Sequence, residues 1–204
     1  EQATILVLDG AGQEVSTTLA VGSGTCLKVL RSIPWPHSLG HFYSTMTGFL
    51  GFTMLEGEYK LMGLAPYGTP DYLATIRRNM LMTDKPGSYR LNHTFVDYHS
   101  ALRGRFSPAL RQLFGEPRKD DGAPFTDRHQ QIASSTQAAF EAVVLDLASW
   151  TFQEGGQQRN VAIAGGCGLN CVANGRLIRE GPFERIYVPP APHDAGCTIG
   201  AALL

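Results

Sequence analysis

The sequence predicts an α/β fold, a mixed five-stranded sheet flanked by helices, on three observations. Three short β-branched runs broken by glycine turns open the chain. A single apolar stripe at helical spacing begins near Asp127. From Val161 onward the order is strand, glycine turn, helix, strand, acid–glycine turn, helix. That last order is how an α/β domain builds a nucleotide-facing edge.

The elements follow in order. Thr4 to Leu8 reads as a strand that stops at the turn signal Asp9-Gly10-Ala11-Gly12. Val15 to Val21 follows, and Gly22-Ser23-Gly24 turns the chain into Thr25 to Leu30, so a meander is the economical prediction. Gly22-Ser23-Gly24-Thr25 is no phosphate loop, because the Gly-Lys-Ser/Thr ending is missing. Pro34 and Pro36 break the chain. Ser38 then caps a helix whose apolar face is Leu39, Phe42, Tyr43, Met46, Phe49 and Leu50, ended by Gly51. Residues from about 69 to 125 mix short apolar pieces with proline, glycine and charge, and read as a helical or irregular insertion packed on the lobe. The long helix carries Ile132, Thr136, Phe140, Val143, Val144, Leu147 and Thr151 in one stripe and ends at Gly155-Gly156. Val161 to Ala164 and Arg185 to Val188 complete the strands. Three strands, helices, then strand–helix–strand–helix is the order of a ribonuclease-H-like lobe, which is paired in actin-like ATPases.

Composition narrows the function. A chain of 204 residues with 43% hydrophobic residues makes one domain, or one lobe of a larger one. A net charge of −1 and 17% charged residues draw it to neither nucleic acid nor an anionic membrane. No apolar run approaches the roughly 20 residues of a membrane span, and no signal peptide opens the chain. A cytoplasmic location is expected. Both ends read as cut. Cys26, Cys167, Cys171 and Cys197 lack the spacing of a disulfide framework and read as small buried thiols, because C-x3-C suits zinc poorly.

Candidate site residues come from the turns. Asp9 ends the first strand, and Asp194 lies beyond the last, so both carboxylates are expected at one crevice. There they could hold a divalent metal or a reacting hydroxyl, against the alternative of two turn-forming aspartates. Gly10, Gly165 and Gly166 would let an anion or base come close, and Asn170 would either bond a nucleotide or cap the next helix. Lys60, among Gly57, Gly63 and Gly68, could meet a phosphate or stay a solvated surface residue. His37 and His41 are four apart at a helix start and could share a metal, although flanking helices carry such pairs by chance. No Gly-x-Ser-x-Gly elbow supports Ser/His/Asp hydrolysis.

Five stretches, LDGAGQEVSTT, PHSLGHFYSTMTGFLGF, GEYKLMGLAPYG, GGCGLNCVANGRL and PPAPHDAGCTIGAAL, closely resemble the O-carbamoyltransferases of antibiotic and nodulation-factor biosynthesis. The resemblance covers nearly the whole chain outside about 70–125. It implies an enzyme that makes carbamoyl adenylate from ATP and carbamoyl phosphate and passes the carbamoyl group to a small-molecule hydroxyl. It also implies an actin-like transfer domain with iron as its metal, paired with a YrdC-like domain that forms the adenylate. Asp9 and Asp194 match the family's two site aspartates, Gly165, Gly166 and Asn170 its nucleotide-side motif, and Lys60 its Gly-Glu-Tyr-Lys stretch. His193 is a weaker candidate to accept the hydroxyl proton. The family's H-x3-H metal ligands lie upstream of the Asp-Gly motif, and only eight residues precede Asp9, so His37 and His41 do not inherit that role. Residues 1–204 thus resemble the second lobe alone, expected to be inactive without the first lobe and the YrdC-like domain and to self-associate through exposed lobe surface. A non-catalytic nucleotide- or partner-binding module is the competing expectation. An actin-like kinase is disfavoured, because these motifs match the carbamoyltransferases instead.

Overall fold

The computed structural model describes residues 2–203. In chain order the elements are β1 (Gln2–Leu8), β2 (Val15–Ser23), β3 (Cys26–Pro34), α1 (Leu39–Phe49), α2 (Glu58–Leu64), α3 (Leu73–Asn79), β4 (Leu81–Met82), β5 (Arg90–Leu91), α4 (Tyr98–Ala101), α5 (Pro108–Phe114), α6 (Asp127–Glu154), β6 (Asn160–Ala164), α7 (Cys171–Glu180), β7 (Arg185–Tyr187) and α8 (Gly196–Ala202). They form two compact units. The first comprises Glu1–Gly40, Asp84–Tyr89 and Val143–Leu204; the second comprises His41–Thr83 and Arg90–Ala142. The stretch read as an insertion, about 70–125, falls mostly in the second unit, with Asp84–Tyr89 in the first.

The first unit holds the five-stranded sheet in the order β3-β2-β1-β6-β7. β1 to β3 form the expected antiparallel meander, while β6 lies parallel to β1 and β7 parallel to β6. The α/β class and the mixed sheet are as predicted. Thr4, Leu6 and Leu8 on β1 alternate with half-buried Ala3, Ile5 and Val7, so both faces of the central strand are covered. Leu6, Leu19, Val161 and Ile163 are buried with Leu147, Ala148 and Leu177, each Leu, Val or Ile side chain contributing about 1.5–3 kcal/mol. β3 runs on through Pro34, where the sequence predicted a break. It is an edge strand, and a proline there costs no ladder bond.

The second unit has an aromatic core. Phe49 meets Phe106 edge-on at 5.3 Å and Phe114 at 6.0 Å, and Tyr43 meets Phe140 at 5.1 Å. The buried Arg118 guanidinium donates to the carbonyls of Leu50 (3.0 Å) and Ala123 (2.9 Å) and lies 3.9 Å from the Phe125 ring centre. These bonds satisfy a charge that would otherwise be costly to bury.

The helical stripes are where periodicity placed them: all six apolar residues of α1's face and all seven of α6's stripe are buried. Two sequence expectations are corrected. Cys26, Cys171 and Cys197 are exposed rather than buried, because they fall on an edge strand and at helix starts. His37 precedes α1, so it does not share a helical face with His41. Among the described residues, no helix is long and apolar enough to cross a membrane.

Candidate functional site

Because β1, β6 and β7 run parallel, their carboxyl ends share one edge of the sheet. Asp9 follows β1 there. Its Oδ1 accepts hydrogen bonds from the backbone N–H groups of Gly10 (2.7 Å) and Gly166 (3.1 Å), tying the turn after β1 to the turn after β6. Gly165 makes the approach possible. Its φ is +88°, and a Cβ would stand 2.1 Å from the Leu8 carbonyl oxygen, so no side chain fits.

Three contacts that sequence reasoning missed hold the Asp9 backbone. Its N–H donates to the Ser16 carbonyl (2.9 Å), and its carbonyl accepts from the Ser38 hydroxyl (3.0 Å). Gly40 packs on the same turn, where a Cβ would lie 2.8 Å from the Gly10 nitrogen and 3.1 Å from the Asp9 carbonyl carbon. Ser38 was legible only as a helix cap, and nothing local in the sequence pairs it with Asp9.

The Asp194 turn joins the same edge through backbone. Gly165 N–H donates to the Pro192 carbonyl (2.7 Å), and Pro192 lies against Gly168. Asp194 itself is exposed, and its carbonyl closes the turn by accepting from Cys197 N–H (3.0 Å). His193 Nδ1 accepts from Ala195 N–H at 3.4 Å. Asn170 is 8% exposed and caps α7, its Oδ1 accepting from Ala173 N–H (3.0 Å). The capping role weighed from sequence is therefore filled.

Lys60 belongs to the second unit, on α2 rather than in a turn. Its ammonium pairs with Asp121, whose hydrogen bond holds it charged above the usual lysine range. His41 is also in the second unit. It is buried, stacked on Tyr98 at 3.6 Å, and pushed down to about 4, first by burial and then by the charge of His99. A neutral stacked imidazole in a core explains His41 without a metal.

Iron is the metal the sequence resemblance implies. Among the described residues, no group of three or more His, Cys, Asp or Glu side chains gathers as a metal would require. Asp9 and Asp194 offer carboxylate oxygens, but one Asp9 oxygen already accepts two N–H bonds. These residues alone do not complete a donor set for iron.

Comparison with known proteins decides the family. The model of the carbamoyltransferase N-terminus matches residues 1–203. This chain belongs to that family. An uncharacterized protein of Synechocystis sp., sll1178, is 45% identical over 203 residues, covering 100% of this chain and 33% of its own length. Nodulation protein NolO of Bradyrhizobium diazoefficiens is 39% identical over 204 residues, all of this chain and 35% of its own. Nodulation protein NolNO of Sinorhizobium fredii is 40% identical, with 28% of its length covered. The chain thus spans about a third of the curated relatives it matches.

Proposed function

We propose that this chain is a ribonuclease-H-like lobe of an actin-like O-carbamoyltransferase. The reaction is transfer of a carbamoyl group from carbamoyl adenylate, made from ATP and carbamoyl phosphate, to a hydroxyl of a sugar or other small product in the cytoplasm. The family match over residues 1–203 carries this reading, and the tethered Asp9 beside a glycine floor supports it.

In this reading the acceptor oxygen bonds to the carbamoyl carbon while the bond from that carbon to the AMP phosphate breaks. AMP leaves with the electron pair, and the hydroxyl proton passes to a nearby base. The two N–H bonds on Oδ1 of Asp9 fix the carboxylate, so Oδ2 presents itself to the hydroxyl in one orientation. Gly165 and Gly166 let the turn after β6 close onto Leu8 and Asp9, and in this reading they form, with Gly10, the floor against which the adenylate lies. Asp194 supplies a second acidic oxygen, and His193 is a secondary proton acceptor. Asn170 acts on the nucleotide side through the helix it caps. Iron, held in part by Asp9 and Asp194, would polarise the carbamoyl oxygen, its other ligands coming from outside these residues. The first lobe and a YrdC-like domain complete the enzyme.

The competing reading is a nucleotide- or partner-binding module without turnover. Acceptor-dependent AMP release from ATP and carbamoyl phosphate, with the adenylate-forming and first-lobe partners supplied, distinguishes the two. Release that falls by about a hundredfold in Asp9→Asn yet stays measurable supports transfer, and nucleotide binding without release supports the module. ADP release without carbamoyl phosphate would overturn both.

A further inference from the structure

We infer that Tyr89, outside every recognised motif, is a positioning residue for Asp9. This rests on the reading of Asp9 as a reacting-site carboxylate. Tyr89 ends the segment Asp84–Tyr89, which belongs to the sheet-bearing unit although the residues on either side belong to the other. That segment is strapped down. Arg31 donates to the carbonyls of Pro86 (2.7 Å) and Gly87 (2.9 Å), and Gly87 N–H donates to Asp146 (2.8 Å). Gly87, at φ +67°, sits so close to Trp150 that a Cβ would lie 2.2 Å from the ring, while the Arg31 guanidinium stacks 3.7 Å from the same ring's centre.

The strap delivers one hydroxyl into the interior. Tyr89 is 1% exposed. Its Oη accepts from Leu39 N–H (3.0 Å) and shares a hydrogen bond with the Thr17 hydroxyl (2.9 Å). Burial pushes it up to about 12, so it keeps its proton at working pH.

Thr17 and Leu39 are the neighbours in sequence of the two residues that clamp Asp9. Ser16 holds the Asp9 N–H and Ser38 holds its carbonyl. The Ser16 hydroxyl also donates to the His37 carbonyl (2.5 Å), closing the same ring. One buried hydroxyl thereby locks β2 to the start of α1, and those two elements grip the Asp9 peptide from both sides. Without it the carboxylate keeps its chemistry but loses its fixed orientation, and a misplacement of about 1 Å can cost on the order of a hundredfold in rate.

Tyr89→Phe removes only the oxygen. In the folded chain, amide hydrogen exchange at Gly10 and Gly166, the two donors to Asp9, should speed by about tenfold, while the Ile186 amide on β7 keeps its rate. Tyr43→Phe, which strips a buried hydroxyl from the second unit, should leave Gly10 and Gly166 unchanged. Thr17→Val should reproduce the Tyr89→Phe pattern and serves if Tyr89→Phe does not fold. In acceptor-dependent AMP release, kcat should fall about tenfold with KM within about twofold, and the same substitution should add less than about twofold in an Asp9→Asn background. Unchanged exchange at both glycines, uniform acceleration across the sheet, or additivity with Asp9→Asn would each overturn the assignment. Absence of AMP release from the wild type would sink the carbamoyl-transfer reading instead, and the exchange experiment would still decide the role of Tyr89.

Discussion

The turns bearing Asp9 and Asp194 lie at one edge of one sheet, yet they are built in opposite ways. The Asp9 turn is gripped at its N–H, its carbonyl and its carboxylate, and a glycine with no room for a Cβ lies against it. The Asp194 turn is joined to the edge by the Gly165–Pro192 backbone bond and by Pro192 packing on Gly168, with its carboxylate exposed. Preorganisation is therefore unequal. One carboxylate is set by the fold itself, and in the proposed reaction the other would be ordered by what binds.

Gly165→Ala tests that contrast most severely. The added methyl meets the Leu8 carbonyl and the φ is wrong for alanine, so a loss of more than about 3 kcal/mol is expected in urea denaturation. A loss below about 1 kcal/mol would mean the two turns are not locked together. Asp9→Ala comes next. It leaves the Gly166 N–H without its acceptor and should cost about 2 kcal/mol, with faster exchange of that amide.

A buried histidine extends the comparison to pH. His41 titrates near 4 in the folded chain and near 6.5 when unfolded. Its stabilising contribution is complete above about pH 6.5 and is lost as pH falls toward 4, because the unfolded chain takes up the proton first. The loss should be about 2 kcal/mol, allowing for water that still reaches the ring. His41→Phe, which keeps an aromatic ring against Tyr98, should flatten that slope. An unchanged acid profile would place the titrating group elsewhere. The smallest effect belongs to Asp194→Asn, which should change stability by less than about 0.5 kcal/mol while lowering AMP release. Self-association adds one further check. Leu27, Val29, Leu169 and Ile178 are exposed on the first unit, and sedimentation should show concentration-dependent dimers. A monomer at high concentration would remove that expectation.

Legibility in the sequence followed the range of the physics. The α1 and α6 faces could be read because helical burial repeats every three to four residues, and all thirteen named positions are buried. The meander could be read because its turns need glycine and its strands need β-branched residues. Asp9 could be read as a strand-end carboxylate, but not as one held by Gly166, a bond across 157 positions. The cysteines misled because a small thiol carries no local sign of the face it will occupy. Tyr89 was invisible, since the stretch around it has neither periodicity nor motif, and only the strap through Arg31, Trp150 and Asp146 brings it under the site.

The amino-acid order alone determined the α/β class, the five strands of the main sheet, the α1 and α6 helices and the glycine turns, because these depend on backbone preference and periodicity over a few residues. Tertiary structure alone decided which carboxylate is clamped, that Asn170 serves as a cap, and that a tyrosine far along the chain sets the orientation of Asp9. Those outcomes depend on strand register and on hydrogen bonds between residues dozens of positions apart, which no short window of sequence contains.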